Sequence, residues 1–269
     1  MKPQVQPSAP IGIFDSGVGG MTVARAVETL LPDYQIIYYG DLARTPYGSK
    51  SSEAIIEYSI ANTEFLLGHG ARVIIVACNS AASVASDILR RKFTVPIFEV
   101  ITPAVARAVA ATASGNIGII GTRATIRSGI YDQKIKEQAP EFRVFSQACP
   151  LLVPLVEEGW TDARETKMIV RKYLAPLKQK QIDTLVLGCT HYPLLKDLIQ
   201  YRMGKKRVRL IDSSVEVALT LQTYLAANPD LNETLHHGNK NKYFVSDMTQ
   251  AAVATAEKIF GRPIELKKV

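Results

Sequence analysis

Cysteine is scarce in this 269-residue chain: there are three copies and no Cys-x-x-Cys pair. A set so sparse and odd in number excludes a disulfide framework and a dithiol redox motif, and thiols kept reduced fit a cytoplasmic protein. Long apolar runs are missing too. No stretch approaches the roughly 18 residues of a membrane span, and the opening Met1-Lys2-Pro3-Gln4-Val5-Gln6-Pro7 lacks the apolar core of a signal peptide. Aromatic residues make up only 7% and do not interleave with the basic clusters Lys205-Lys206-Arg207-Val208-Arg209 and Arg262 to Lys268. The net charge of +7 therefore reads as solvated surface rather than a nucleic-acid site.

What is present is a chain with 47% apolar residues, enough for an extensive core. Short β-type runs alternate with helical patterns almost throughout, which predicts an α/β fold of βα units with mainly parallel sheets. The expected strands cover residues 11–14, 35–39, 73–77, 95–100, 117–121, 143–146, 184–188, 208–211 and 243–245. A helix is expected over residues 52–67, capped by Ser51 or Ser52 and ended by Gly68 and Gly70.

The order of elements repeats once. Ile11-Gly12-Ile13-Phe14-Asp15-Ser16 resembles Ile117-Gly118-Ile119-Ile120-Gly121-Thr122, an offset of 106 positions, and Cys78 and Cys189 are offset by 111. Two similar domains related by a pseudo-twofold axis are expected, with the active site at their interface. More chain follows Cys189 than the second half needs, so residues 1–100 plus 210–269 are assigned to a discontinuous first domain carrying Cys78. Residues 101–209 form the second, carrying Cys189. On this reading the strand at 208–211 returns to the first domain.

Each of those two cysteines ends an apolar run and precedes small polar residues: Val76-Ala77-Cys78-Asn79-Ser80 and Leu187-Gly188-Cys189-Thr190-His191. The carboxyl ends of strands in α/β proteins are where ligands bind, and a helix N-terminus there lowers a thiol's pKa. Both thiols are expected to benefit. A cysteine after an apolar strand can also be plain packing; the matched pair favours chemistry. Cys149 lacks a repeat mate, and Pro150 after it supplies no amide, so it reads as packing.

Asp15-Ser16-Gly17-Val18-Gly19-Gly20 follows the first strand and opens a helix, where glycines and free amides suit an anion. The segment has neither the dinucleotide-binding spacing nor a phosphate-loop lysine. A carboxylate ligand fits better, with Ser16 as donor and Asp15 facing an ammonium or orienting a thiol. Tyr47 and Gly48, after the second strand, can close over a small ligand through backbone amides. Glu157, Glu158 and His191 are titratable groups of the second half, and His191 stands two residues past Cys189 as a proton relay or acid. Neither strand end carries a lysine for a pyridoxal Schiff base. A metal site built from Cys78, Cys189 and His191 has poor spacing for structural zinc.

Five motifs in one order resemble glutamate racemase: Phe14-Asp15-Ser16-Gly17-Val18-Gly19-Gly20-Met21-Thr22-Val23, Tyr39-Gly40-Asp41 with Pro46-Tyr47-Gly48, Ala77-Cys78-Asn79-Ser80-Ala81, Val153-Pro154-Leu155-Val156-Glu157, and Gly188-Cys189-Thr190-His191-Tyr192-Pro193-Leu194. The resemblance implies a cofactor-independent, metal-free racemase that supplies D-glutamate for bacterial peptidoglycan. It implies Cys78 and Cys189 as the catalytic thiols, assisted by Asp15, Glu157 and His191. Substrate contacts fall on Asp15, Ser16, Tyr47, Gly48, Asn79, Ser80, Thr190 and His191. It implies a homodimer as well, since dimers occur in the family. Ser80 departs from the family's usual threonine, keeping the hydroxyl and losing a methyl. Racemisation of aspartate or another small acidic amino acid is the alternative.

Overall fold

The computed structural model describes residues 9–235, residue 238 and residues 240–269. Residues 1–7, inspected above for a signal core, lie outside the described residues. Among the described residues ten strands form: β1 (Ile11–Asp15), β2 (Ile36–Gly40), β3 (Val73–Val76), β4 (Ile97–Glu99), β5 (Asn116–Gly121), β6 (Arg143–Ala148), β7 (Thr184–Gly188), β8 (Arg209–Asp212), β9 (Lys242–Val245) and β10 (Leu266–Lys268). β1, β2, β3 and β7 are buried along their whole length. Continuous burial is what a parallel strand covered by helices on both faces requires, and it explains runs such as Val73-Ile74-Ile75-Val76.

The strands make two all-parallel sheets, ordered β10-β9-β2-β1-β3-β4 and β6-β5-β7-β8. The order β2-β1-β3-β4 is repeated as β6-β5-β7-β8, so the duplication seen in the sequence is a duplication of topology. Cys78 follows β3 and Cys189 follows β7, at equivalent places in the two α/β domains.

One expectation is overturned by this order. The strand expected at 208–211 was to rejoin the first domain from position 210 onward, yet Leu210, Ile211 and Asp212 of β8 pair with Leu185, Val186 and Leu187 of β7. The repeated unit has four strands rather than three, and without β8 the buried β7 would be an unpaired edge. The chain returns only with helix Ser213–Ala227, which packs on helix Met21–Leu30 of the first half and on helix Ile101–Ala111. β10 was not anticipated at all. It lies in the basic tail; of its three residues Leu266 alone is buried and Lys267 and Lys268 are exposed, a short charged edge strand that discourages further pairing. The helix expected at 52–67 forms over Ser52–Gly68, with Ser51 Oγ accepting from the Ala54 amide at 3.3 Å and Gly70 following at φ +88°.

The largest buried cluster surrounds the first sheet, and a second fills the space between β7 and the helices of the second half. Ile13 in β1 is fully buried, whereas Tyr201 is 77% exposed. Ile13→Ala is expected to cost about 2–5 kcal/mol in a urea titration; Tyr201→Ala is expected to stay within about 0.5 kcal/mol.

Candidate active site

The carboxyl ends of β1, β3 and β7 meet at the seam between the sheets. A cavity of about 350 Å³ opens there, with lining drawn from both halves. That is at the low end of the range for small-ligand sites, about 300–1,000 Å³. Ser16, Tyr47, Gly48, Cys78, Asn79 and Ser80 face Glu157, Cys189, Thr190 and His191 across it. Asp15 is placed differently: fully buried behind the wall, it accepts from the Gly17 amide at 3.0 Å and from Thr190 Oγ1 at 3.3 Å. A larger hollow of about 410 Å³, floored by Leu30, Leu194 and Leu219, carries no thiol or histidine.

Backbone contact replaces side chains where the halves touch. A Cβ on Gly19 would lie 2.4 Å from His191 Nδ1 and 2.7 Å from Thr190 Oγ1, and one on Gly48 would lie 2.7 Å from the Thr122 Cβ. Glycine at both positions is therefore a condition of closure. Thr22 Oγ1 adds a hydrogen bond to the Thr190 carbonyl at 3.2 Å.

The two thiols sit in unlike surroundings. Cys78 caps helix Asn79–Lys92, and its Sγ–H donates to Ser16 Oγ at 3.5 Å. The helix N-terminus was expected to lower its pKa. Burial instead pushes it up to about 12, with nearby Asp15 adding to the rise. At pH 7 such a group is overwhelmingly the neutral thiol, so a base must take its proton. Asp15 is suited to that: burial raises its carboxyl above the usual range, although His191 pulls the other way.

Cys189 lacks a helix of its own. The residues after β7 turn, and a 3-10 helix over Tyr192–Leu195 begins only beyond His191. What stands beside this thiol is an ion pair. Cys189 Sγ lies 3.9 Å from His191 Nδ1, and His191 Nε2 lies 3.1 Å from Glu157 Oε1. Burial disfavours a charged ring, but hydrogen bonds to Cys189 and Glu157 outweigh it and raise the imidazole to about 10. His191 is thus cationic at neutral pH.

The Tyr47 hydroxyl is consumed elsewhere, donating to Asp41 and accepting from Asn62 Nδ2 at 3.1 Å, which leaves backbone at the cavity. Ser80 Oγ bonds across the seam to Thr122 Oγ1 at 2.8 Å, with Thr125 Oγ1 3.5 Å away. Thr122 and Thr125 were missed in the sequence. The repeat held a signal for the first, since Thr122 is the counterpart of Ser16 at the offset of 106. Among the described residues Asn79 Nδ2 is buried without a partner, an arrangement that costs about 1–3 kcal/mol while it stays unsatisfied. Cys149 is wholly buried in the second core, in keeping with packing. Among the described residues no group of three or more His, Cys, Asp or Glu is arranged to hold a metal ion, and no helix is long and apolar enough to cross a membrane.

The model of the Asp/Glu/Hydantoin racemase family matches residues 21–221, which puts this doubled α/β fold, with two thiols lining a cavity between its halves, in the class of racemases. The glutamate racemase of Geobacter metallireducens is 44% identical over 255 residues, 95% of this chain and 94% of that one. A glutamate racemase isoform of Bacillus anthracis superposes with a TM-score of 0.91 at 35% identity, covering 98% of both chains. The Francisella tularensis glutamate racemase, solved in complex with D-glutamate, gives 0.89 at 32% identity, again over 98% of each. The chain belongs to the glutamate racemase family.

Because the folded-state value of His191, about 10, lies above its ordinary 6.5, the charged ring stabilises the fold fully below about pH 6.5. That contribution is lost as pH rises through 10. Glu157→Gln is expected to move the ring's midpoint, followed by NMR, down from about 10 and to bring the loss of stability to lower pH. An unmoved midpoint would show that Glu157 does not hold the charge.

Proposed function

We propose that the enzyme interconverts L- and D-glutamate by passing the α-proton between Cys78 and Cys189, supplying D-glutamate for peptidoglycan. One observation carries this reading: thiols from equivalent strand ends, one from each half, line a single cavity. Inverting a stereocentre through a flattened carbanion needs a base on one face and an acid on the other, and one group reaches one face only. Cys78 takes the proton from D-glutamate and Cys189 from L-glutamate. The electron pair left on the α-carbon spreads into the carboxylate while the opposite thiol delivers its proton. Each turnover therefore leaves the two sulfurs with exchanged protonation, which Asp15 beside Cys78 and the His191–Glu157 pair beside Cys189 support. The step calls on no cofactor or metal.

The α-proton is weakly acidic, so the gathering charge needs donors aimed at the carboxylate. Asn79 Nδ2, the Ser16 and Ser80 hydroxyls and the Tyr47–Gly48 backbone are assigned that role, while the Thr190 hydroxyl, whose proton goes to Asp15, is left to accept from the substrate ammonium; water is excluded on closure. Aspartate is the alternative substrate, and the similarity to glutamate racemases over nearly the whole chain speaks against it. Cytoplasmic location belongs to the same reading, as does a working division into residues 1–100 plus 213–269 and residues 101–212.

Cys78→Ser and Cys189→Ser are each expected to lower racemisation about 10³-fold or more, followed by circular dichroism with either enantiomer. In heavy water the wild type is expected to place deuterium on the α-carbon of the product. Full activity in either variant, or inversion of aspartate in preference to glutamate, would overturn the assignment.

A homodimer is also proposed. Trp160, 53% exposed, and Met168, 61% exposed, both belong to the second half and offer apolar area for a second copy. Sedimentation is expected to show a dimer that Trp160→Glu with Met168→Glu dissociates; an unchanged mass for the double variant would remove these residues from the interface.

A further inference from the structure

Tyr131 opens helix Ile130–Gln138 in the second half, yet its hydroxyl reaches into the first. It donates to Asn79 Oδ1 at 2.7 Å, a bond between residues 52 apart in the chain. The ring is buried and closes on the other strand end as well: a Cβ on Gly188, the residue before Cys189, would lie 3.3 Å from Tyr131 Cε2. One side chain thus touches the neighbours of both thiols.

A primary carboxamide has two ends of opposite character, and its terminal torsion is broad and nearly two-fold, so nothing local decides which end faces a ligand. For Asn79 the decision comes from outside. Tyr131 is the partner of Oδ1, and among the described residues Nδ2 has none, although it is buried and Asn79 lines the cavity. Burial, with Glu99 and Cys189 nearby, raises the Tyr131 hydroxyl well above its ordinary value, so it remains a donor at any working pH. Its bond to Oδ1 ties down the amide oxygen and leaves the N–H groups for the cavity.

We propose that Tyr131 is a positioning residue for substrate recognition, orienting the Asn79 carboxamide so that Nδ2 donates to a glutamate carboxylate. The inference rests on the reading that Asn79 contacts substrate. It adds a dependence between the halves: the donor belongs to the first half and its orientation is set by the second, so the anion site is complete only when the two are together.

Tyr131→Phe keeps the ring and removes the hydroxyl. It is expected to raise KM for both enantiomers about tenfold with kcat changed less than about threefold, the signature of lost binding shared by ground and transition states. Asn79→Ala is expected to raise KM at least as much. Adding Tyr131→Phe to Asn79→Ala is expected to do nothing further, because the residue acts through the amide. The same KM penalty in both backgrounds would overturn the proposal and leave the substrate reading standing. An unchanged KM in Asn79→Ala would instead remove Asn79 from the substrate, and the proposal with it. Asn79→Asp gives an independent arm that leaves Tyr131 in place: the hydroxyl keeps an acceptor while the substrate meets an oxygen, and KM is expected to exceed that of Asn79→Ala. A KM no higher than in Asn79→Ala would overturn the orientation.

Discussion

Removal from water governs Cys78, Asp15 and His191 at the seam between the two sheets, and the roles of these groups follow from how each is compensated. Cys78 has a hydroxyl partner in Ser16 and a carboxyl neighbour in Asp15, so burial keeps it a neutral thiol. His191 has Cys189 on one nitrogen and Glu157 on the other, so the same burial leaves it charged. Asp15 is held by the Gly17 amide and Thr190 Oγ1, and its carboxyl is nonetheless raised. One physical effect, answered by different partners, yields a neutral acid on one side and a cation on the other.

That asymmetry sits on a symmetric frame. β2-β1-β3-β4 and β6-β5-β7-β8 place their third strands alike, which delivers two thiols to facing positions without further instruction. The departures come from the loops beyond them. After β3 a long helix starts directly at Asn79; after β7 a turn carries Thr190 and His191 before a 3-10 helix begins. Duplication supplies two faces for chemistry, and loop divergence supplies two different ways to manage a proton.

Much of the fold was legible because buried parallel strands write themselves as short apolar runs, and β1, β3 and β7 lie where such runs stand. β8 was recognised as a strand but placed in the wrong sheet, since run composition says nothing about pairing partners; only the count of strands in the repeat would have assigned it. β10 escaped because two of its three residues are lysines. At the site, the residues that end strands were readable and their energetics were not. A helix N-terminus at Cys78 is visible in sequence, whereas the burial that outweighs it is a property of both halves together. Thr125 and Tyr131 were invisible for a similar reason, because each matters through a partner more than forty residues away.

The contact at Gly19 has a consequence in time rather than in space. With His191 Nδ1 and Thr190 Oγ1 occupying the room a side chain would need, no compressible layer separates the halves there. Any parting of the halves therefore rehydrates the imidazole at once, and with it the balance that keeps the ring charged. Release of product and exchange of protons with solvent become a single event. While the halves stay in contact, a proton on either buried thiol is shielded from solvent, and the enzyme keeps the protonation left by the enantiomer it last received.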